Sequence, residues 1–129
     1  MGNDRRRLEL AHSLVLTLPG TPVLRNGDEI GMGENLDLQE RDAIRTPMQW
    51  ANAKNGGFST AERTVLPVIG GGEFGYEKVS VAAGQRDPGS FLNWMARMTR
   101  LRLRCPEFGT SRCEWLQASD PAVLALLPR

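Results

Sequence analysis

Apolar side chains at Leu8, Ala11, Leu14, Val15 and Leu18 recur at helical spacing, with Arg5, Arg6 and Glu9 largely on the other face. That pattern predicts a helix over residues 4 to 18, capped by Asn3 or Asp4 and ended by Pro19-Gly20. Pro22-Val23-Leu24 then reads as a short strand, stopped by the turn dipeptide Asn26-Gly27. From 33 to about 85 the periodicity is lost. A loop of that length inside a compact domain is either functional or disordered. Trp50, Phe58, Leu66, Phe74 and Tyr76 argue that it packs, because disordered tracts are poor in aromatics. Asp87-Pro88 resembles a helix start, and Phe91, Met95, Met98 and Leu101 form the apolar stripe of a helix over 88–104. Arg97, Arg100, Arg102 and Arg104 lie on its wet side, and Pro106 closes it. Glu114-Trp115-Leu116 and Val123-Leu124-Ala125-Leu126-Leu127 read as two strands joined at Ser119-Asp120-Pro121.

Composition narrows the function classes. The chain has 129 residues, 40% hydrophobic and 24% charged, with a formal net charge of +1. Such a balance makes no case for nucleic acid or an anionic membrane as partner. Arg5-Arg6-Arg7 is followed by Glu9 and has no interleaved aromatics, so it reads as a solvated helix face. No stretch reaches the about 20 apolar residues of a membrane-spanning helix. No cleavable signal pattern is present, and the cytoplasm is the expected location. Cys105 and Cys113 form no CxxC motif, and the lone His12 completes no ligand set with them, so reduced thiols and no metal are expected. Asn55-Gly56-Gly57 lacks the lysine and hydroxyl residue of a phosphate-binding loop.

Four blocks carry a family resemblance. They are Asn3-Asp4-Arg5-Arg6-Arg7-Leu8-Glu9-Leu10; Leu18-Pro19-Gly20-Thr21-Pro22-Val23-Leu24 with Gly27-Asp28-Glu29-Ile30-Gly31-Met32-Gly33; Arg41-Asp42 with Arg45-Thr46-Pro47-Met48-Gln49-Trp50; and Gln85-Arg86-Asp87-Pro88 with Leu92-Asn93-Trp94. Together they resemble glycoside hydrolase family 13, the α-amylase family, and most of all its bacterial trehalose synthase branch. The oligo-1,6-glucosidases and α-glucosidases are similar too. Asn26 departs from the pattern, standing where an aromatic residue or glutamine is usual.

The resemblance implies an α/β fold: the C-terminal part of a (β/α)8 barrel. Residues 1–108 would be its last helix, strand, long loop (33–85) and helix. Residues 109–129 would open an antiparallel C-terminal β domain. A whole barrel takes about 250 residues, and a single strand leaves both of its edges unpaired. The family's nucleophile, acid/base and third carboxylate match no residue here, so no catalytic residue is assigned. The chain is therefore expected to be a fragment, inactive alone, of an enzyme converting maltose to trehalose by intramolecular glucosyl transfer. Hydrolysis of α-glucosides is the competing activity. No cofactor is implied.

Active sites of barrels lie at the C-terminal ends of the strands, so the long loop would overhang the substrate pocket. Arg45 is the leading substrate-binding candidate. Its rigid five-donor fork suits sugar hydroxyls or a gate carboxylate, and Pro47 stiffens its segment; a structural salt bridge is the alternative. Arg41, Asp28, Gln49 and Trp50 are further candidates. Trp50 stacks on a sugar ring or anchors the loop in the core. Asp28 and Glu29 tempt as a catalytic pair, but neighbouring side chains in an extended segment diverge. Asp37, Glu40 and Asp42 read as solvated or paired with Arg41 and Arg45.

The other class of reading is a non-catalytic chain that binds a partner. The apolar faces of both helices and the edges of Thr21 to Leu24 would seek the remaining barrel or a second copy. Analytical ultracentrifugation of the purified chain should accordingly show self-association. A clean monomer with one cooperative melt would contradict this.

Overall fold

The computed structural model describes residues 4–110 and 112–128. Its elements are α1 (Arg5–Thr17), α2 (Val81–Arg86), α3 (Phe91–Arg104), α4 (Glu107–Thr110), β1 (Cys113–Leu116) and β2 (Ala125–Pro128). Three short 3-10 turns, Asp28–Ile30, Glu40–Ile44 and Lys54–Gly57, punctuate the long irregular segment. The chain divides into two compact units. One is Leu24–Met95, and the other is built from the chain up to Val23 and from Ala96 onward. No helix is long and apolar enough to cross a membrane.

In the outer unit, Asp4 caps α1 by accepting from the backbone N–H groups of Arg6 at 2.9 Å and Arg7 at 3.4 Å. Asn3, the other cap candidate, lies outside the described residues. The basic run is partly neutralised: Arg5 pairs with Glu9 at 2.7 Å across one helical turn. The burial of α1 departs from the expected stripe. Leu16 is its buried residue, whereas Val15 is exposed. Beyond the helix, the Arg102 guanidinium donates to the carbonyls of Leu16 (2.6 Å), Leu18 (3.4 Å) and Gly20. The last carbonyls of a helix have no intrahelical partner, so a cation with several donors serves them and the chain beyond. Helix α4 packs on α1. The hairpin pairs antiparallel, Cys113 opposite Pro128 and Leu116 opposite Ala125. Leu10, Leu14, Phe108, Leu124 and Leu126 line an apolar groove of about 450 Å³ in this unit. Cys105 and Cys113 are both free thiols.

The inner unit has a methionine-rich core. Ile30, Met32 and Met48 are buried together, with Val79, Val81 and Leu92 packed against them. Met side chains suit this position because they adapt to irregular gaps between loops. Phe91 and Met95, the first half of the expected α3 stripe, are buried, and Phe91 stacks on Trp94 at 5.5 Å. Further along, Leu101 is exposed.

Three expectations are corrected. Thr21 to Leu24 is not a strand: it joins no ladder, and Val23 is 86% exposed. An extended segment becomes a strand only when a neighbour takes its N–H and C=O groups. The second helix begins at Phe91 rather than at 88. Asp87 instead closes a turn, accepting from Gly89 N–H at 2.8 Å, and Ser90 is the cap, its hydroxyl accepting from Asn93 N–H at 3.1 Å. Last, the irregular stretch ends in α2, capped by Ser80 through Ala83 N–H.

Replacing Arg102 by methionine keeps the stem and removes every donor. It should lower stability by about 2 kcal/mol, since hydrogen bonds from charged groups contribute about 1.5–3 kcal/mol and these are partly solvated. Lysine at 102 should recover only part of it. Urea unfolding of the two variants measures both effects.

Candidate functional site

The candidate residues all lie in the inner unit, on segments 24–32 and 40–50. Asn26-Gly27 makes a tight turn in which Gly27 has φ +93°. A Cβ there would also meet Met32 Cβ at 2.9 Å, so this position needs glycine for two reasons. Asp28 and Glu29 do not form a catalytic pair. Asp28 Oδ2 accepts from Arg25 N–H at 2.7 Å, and Glu29 Oε2 accepts from Gly27 N–H at 2.9 Å. Each carboxylate thus serves its own turn. Arg25 Nε lies 3.4 Å from Asp28 Oδ1, an ion-pair distance without hydrogen-bond alignment.

Arg41 sits within the turn Glu40–Ile44 and Arg45 ends it, its N–H bound to Asp42 O at 3.1 Å. Both side chains are exposed. Among the described residues neither guanidinium has an ion-pair partner, and Asp37, Glu40 and Asp42 are exposed and unpaired as well. The structural salt bridge considered for Arg45 is therefore absent among the described residues. Instead Arg45 lines an open cleft of about 450 Å³ with Pro47, Phe58, Ser59, Arg63 and Thr64. Arg63 was not singled out by sequence reasoning, and Phe58 was read only as one of the aromatics that pack the loop. Isolated residues in an aperiodic segment carry no signal of what they face.

Trp50 is 49% exposed, with its N–H bound to Gly56 O at 2.8 Å. The turn Asn55-Gly56-Gly57 folds back on it. All three residues have positive φ, and a Cβ on Gly57 would meet Ala51 N at 3.2 Å and Trp50 Cβ at 3.4 Å. These glycines therefore serve close backbone approach rather than phosphate binding. Asn55 holds the next stretch by donating to Ser59 O (3.1 Å) and Ala61 O (2.8 Å).

Gln49 is fully buried, at 0% exposure. Its Nε2 donates to Phe74 O at 2.9 Å and Val79 O at 2.6 Å, while Oε1 meets no donor among the described residues. The structure thus brings Arg45 to a cleft with Arg63, leaves Trp50 half-exposed beside it in sequence, and commits Asp28 and Gln49 to backbone groups. Val65 and Leu66 complete a mostly apolar lining, in which Phe58 is the one aromatic residue and Arg45, Arg63, Ser59 and Thr64 are the polar ones; a few polar groups in an apolar cleft suit a ligand with both an apolar face and hydroxyls. No acid lines it. A retaining glycosidase needs two carboxyls about 5–5.5 Å apart, and this cleft supplies neither. Among the described residues no His, Cys, Asp and Glu cluster could hold a metal ion.

The α-amylase catalytic-domain family matches residues 1–108, and the chain belongs to that family. It is 45% identical over 127 residues to a trehalose synthase of Pimelobacter sp., an alignment covering 97% of this chain and 22% of the relative. It is 44% identical over 127 residues to a trehalose synthase/amylase of Mycolicibacterium smegmatis, covering 97% of this chain and 21% of that one. Among solved structures, the α-amylase of H. orenii superposes with a TM-score of 0.76 at 29% identity, over 99% of this chain and 24% of that chain. The chain thus spans about a fifth of the length of the curated relatives it matches. Its architecture is that of the corresponding part of barrel enzymes of the family.

Gly27→Ala should lose about 2 kcal/mol or more, because it combines left-handed strain with a clash. Asp28→Ala should lose about 1 kcal/mol, the value of one turn cap. A reversed order in urea melts would show that the carboxylate, not the glycine, holds the turn.

Proposed function

We propose that this chain forms the loop-bearing wall of the substrate pocket of an enzyme that converts maltose to trehalose. The observation that carries the reading is the 45% identity to a trehalose synthase across 97% of the chain. In this reading, residues 1–108 are the last helix, strand position, long loop and helix of the barrel, and 109–129 open the C-terminal β domain. The carboxylates are supplied from outside these residues. One of them forms a covalent glucosyl intermediate, the freed glucose turns within the pocket, and it re-attacks through a different hydroxyl.

Arg45 donates to sugar hydroxyls at the pocket mouth, with Arg41 beside it on the same turn, and Trp50 offers a ring face for stacking. Exposure supports all three as direct contacts, and for the two arginines so does the lack of an ion-pair partner among the described residues. Asp28 and Gln49 shape the wall from behind. A second reading, hydrolysis of an α-glucoside, draws support from the Mycolicibacterium relative, whose name joins synthase and amylase. The two differ in whether water reaches the intermediate.

The test is a chimera in which these residues replace the matching segment of the Pimelobacter enzyme. With maltose it should release trehalose in excess of glucose; glucose alone would favour hydrolysis, and no product from a folded chimera would sink both readings. The chain by itself should release neither. Arg45→Ala in the chimera should cut transfer at least about tenfold, the loss of more than about 1.4 kcal/mol of transition-state binding, with stability changed by less than about 0.5 kcal/mol. An unchanged rate would remove Arg45 from the site.

A further inference from the structure

Gln49 lies in the middle of the motif that supplies the candidate ligands, yet it is wholly buried. Both hydrogens of its side-chain amide are used. One goes to Phe74 O and the other to Val79 O, residues 25 and 30 positions further along the chain. Its backbone carbonyl accepts from Val81 N–H at 2.9 Å, and the Trp50 carbonyl accepts from Ala82 N–H at 2.9 Å. Four hydrogen bonds therefore join 49–50 to 74–82, and the intervening excursion is closed at its neck. Tyr76 N–H adds a bond to Ile69 O at 3.0 Å inside the excursion. Little else of a regular kind holds it, for it contains no strand and one short 3-10 turn among the described residues.

The choice of amide at this site is informative. A methionine would fill a similar volume in a core that already contains Met32 and Met48, but it would take the amide donors away from the Phe74 and Val79 carbonyls. Glutamine supplies both donors, and a buried carbonyl left without one costs stability. The donor side of the amide is the side these two bonds use. An ionised carboxylate could not replace it, because both partners are carbonyl oxygens and accept only.

We propose that Gln49 is a positioning residue: its amide is a clasp that shuts the neck of the 50–80 excursion and so fixes Trp50 and the Phe58–Leu66 wall of the cleft. Resting on the maltose-to-trehalose reading above, the clasp keeps water from the glucosyl intermediate and so sets the ratio of transfer to hydrolysis. Loops that close over a pocket act in this way by excluding water.

The first readout needs no substitution and no substrate. In solution NMR of the full chain, the Gln49 side-chain amide protons should exchange at least about tenfold more slowly than those of Gln39, Gln85 and Gln117, which are exposed. Equal exchange would overturn the clasp. Two variants then loosen it from opposite sides. Gln49→Met removes both donors. Gly33→Ala leaves Gln49 intact but places a Cβ 2.5 Å from Phe74 Cγ and 2.7 Å from its Cβ, so Phe74 must shift. Each should speed exchange of the Val81 and Ala82 backbone amides about tenfold. Each should also lower the trehalose-to-glucose ratio of the chimera several-fold. Faster amide exchange with an unchanged ratio would overturn the positioning role. If Gln49→Met does not fold, Gly33→Ala and the unsubstituted chain decide. An unsubstituted chimera that makes neither sugar would defeat the maltose reading, and amide exchange would still judge the clasp.

Discussion

Backbone polar groups in residues 24–80 have neither an α-helix nor a sheet to pair with, and most of the inner unit follows from that constraint. Each buried donor or acceptor has to be met by a turn or by a side chain. Carboxylates of Asp28 and Glu29 meet the first turn, and the amide of Asn55 meets the fourth decade of the segment. Gln49 meets the largest gap in sequence. Met32 and Met48 pack beside Ile30, Val79, Val81 and Leu92, their flexible side chains adapting to the irregular spaces such a framework leaves. In the outer unit one arginine performs the analogous task, gathering three carbonyls, one in the last turn of α1 and two beyond it.

The same constraint explains which features could be read from the sequence. The helices at α1 and α3 and the terminal hairpin were legible, since apolar spacing and capping residues are local properties. Their ends were less so: Ser90 rather than Asp87 caps α3, a choice between two good caps three residues apart. Val23 was misread because being a strand is a relation between segments, not a property of one. Helix α2 has six residues, too few to show a period. Gln49 was read as a substrate-binding candidate, whereas its amide is buried on acceptors 25 and 30 residues away, beyond any local pattern. Arg63 reaches the Arg45 cleft through the course of an aperiodic loop and left no trace in the sequence.

Membership of the α-amylase family gives these particulars a common purpose. Side chains that could touch a sugar are exposed and uncommitted: Arg41, Arg45 and Trp50. Those that could be mistaken for chemistry, Asp28 and Glu29, are committed to backbone. In the proposed reading, binding and reacting groups are thus separated along the polypeptide. A loop wall can then vary between relatives without disturbing the reacting acids, in keeping with barrels that change specificity through their loops.

The three tryptophans stand in three different settings. Trp50 is half-exposed at the neck of the excursion, Trp94 is packed flat on Phe91, and Trp115 stands 66% exposed on β1. The chain therefore carries its own optical labels, one for the loop, one for a helix and one for the hairpin. Collisional quenchers such as iodide would reach the first and last more readily than the second, which is partly buried. Intrinsic fluorescence can consequently follow the opening of the neck and the fraying of the hairpin as separate events, without attaching a dye.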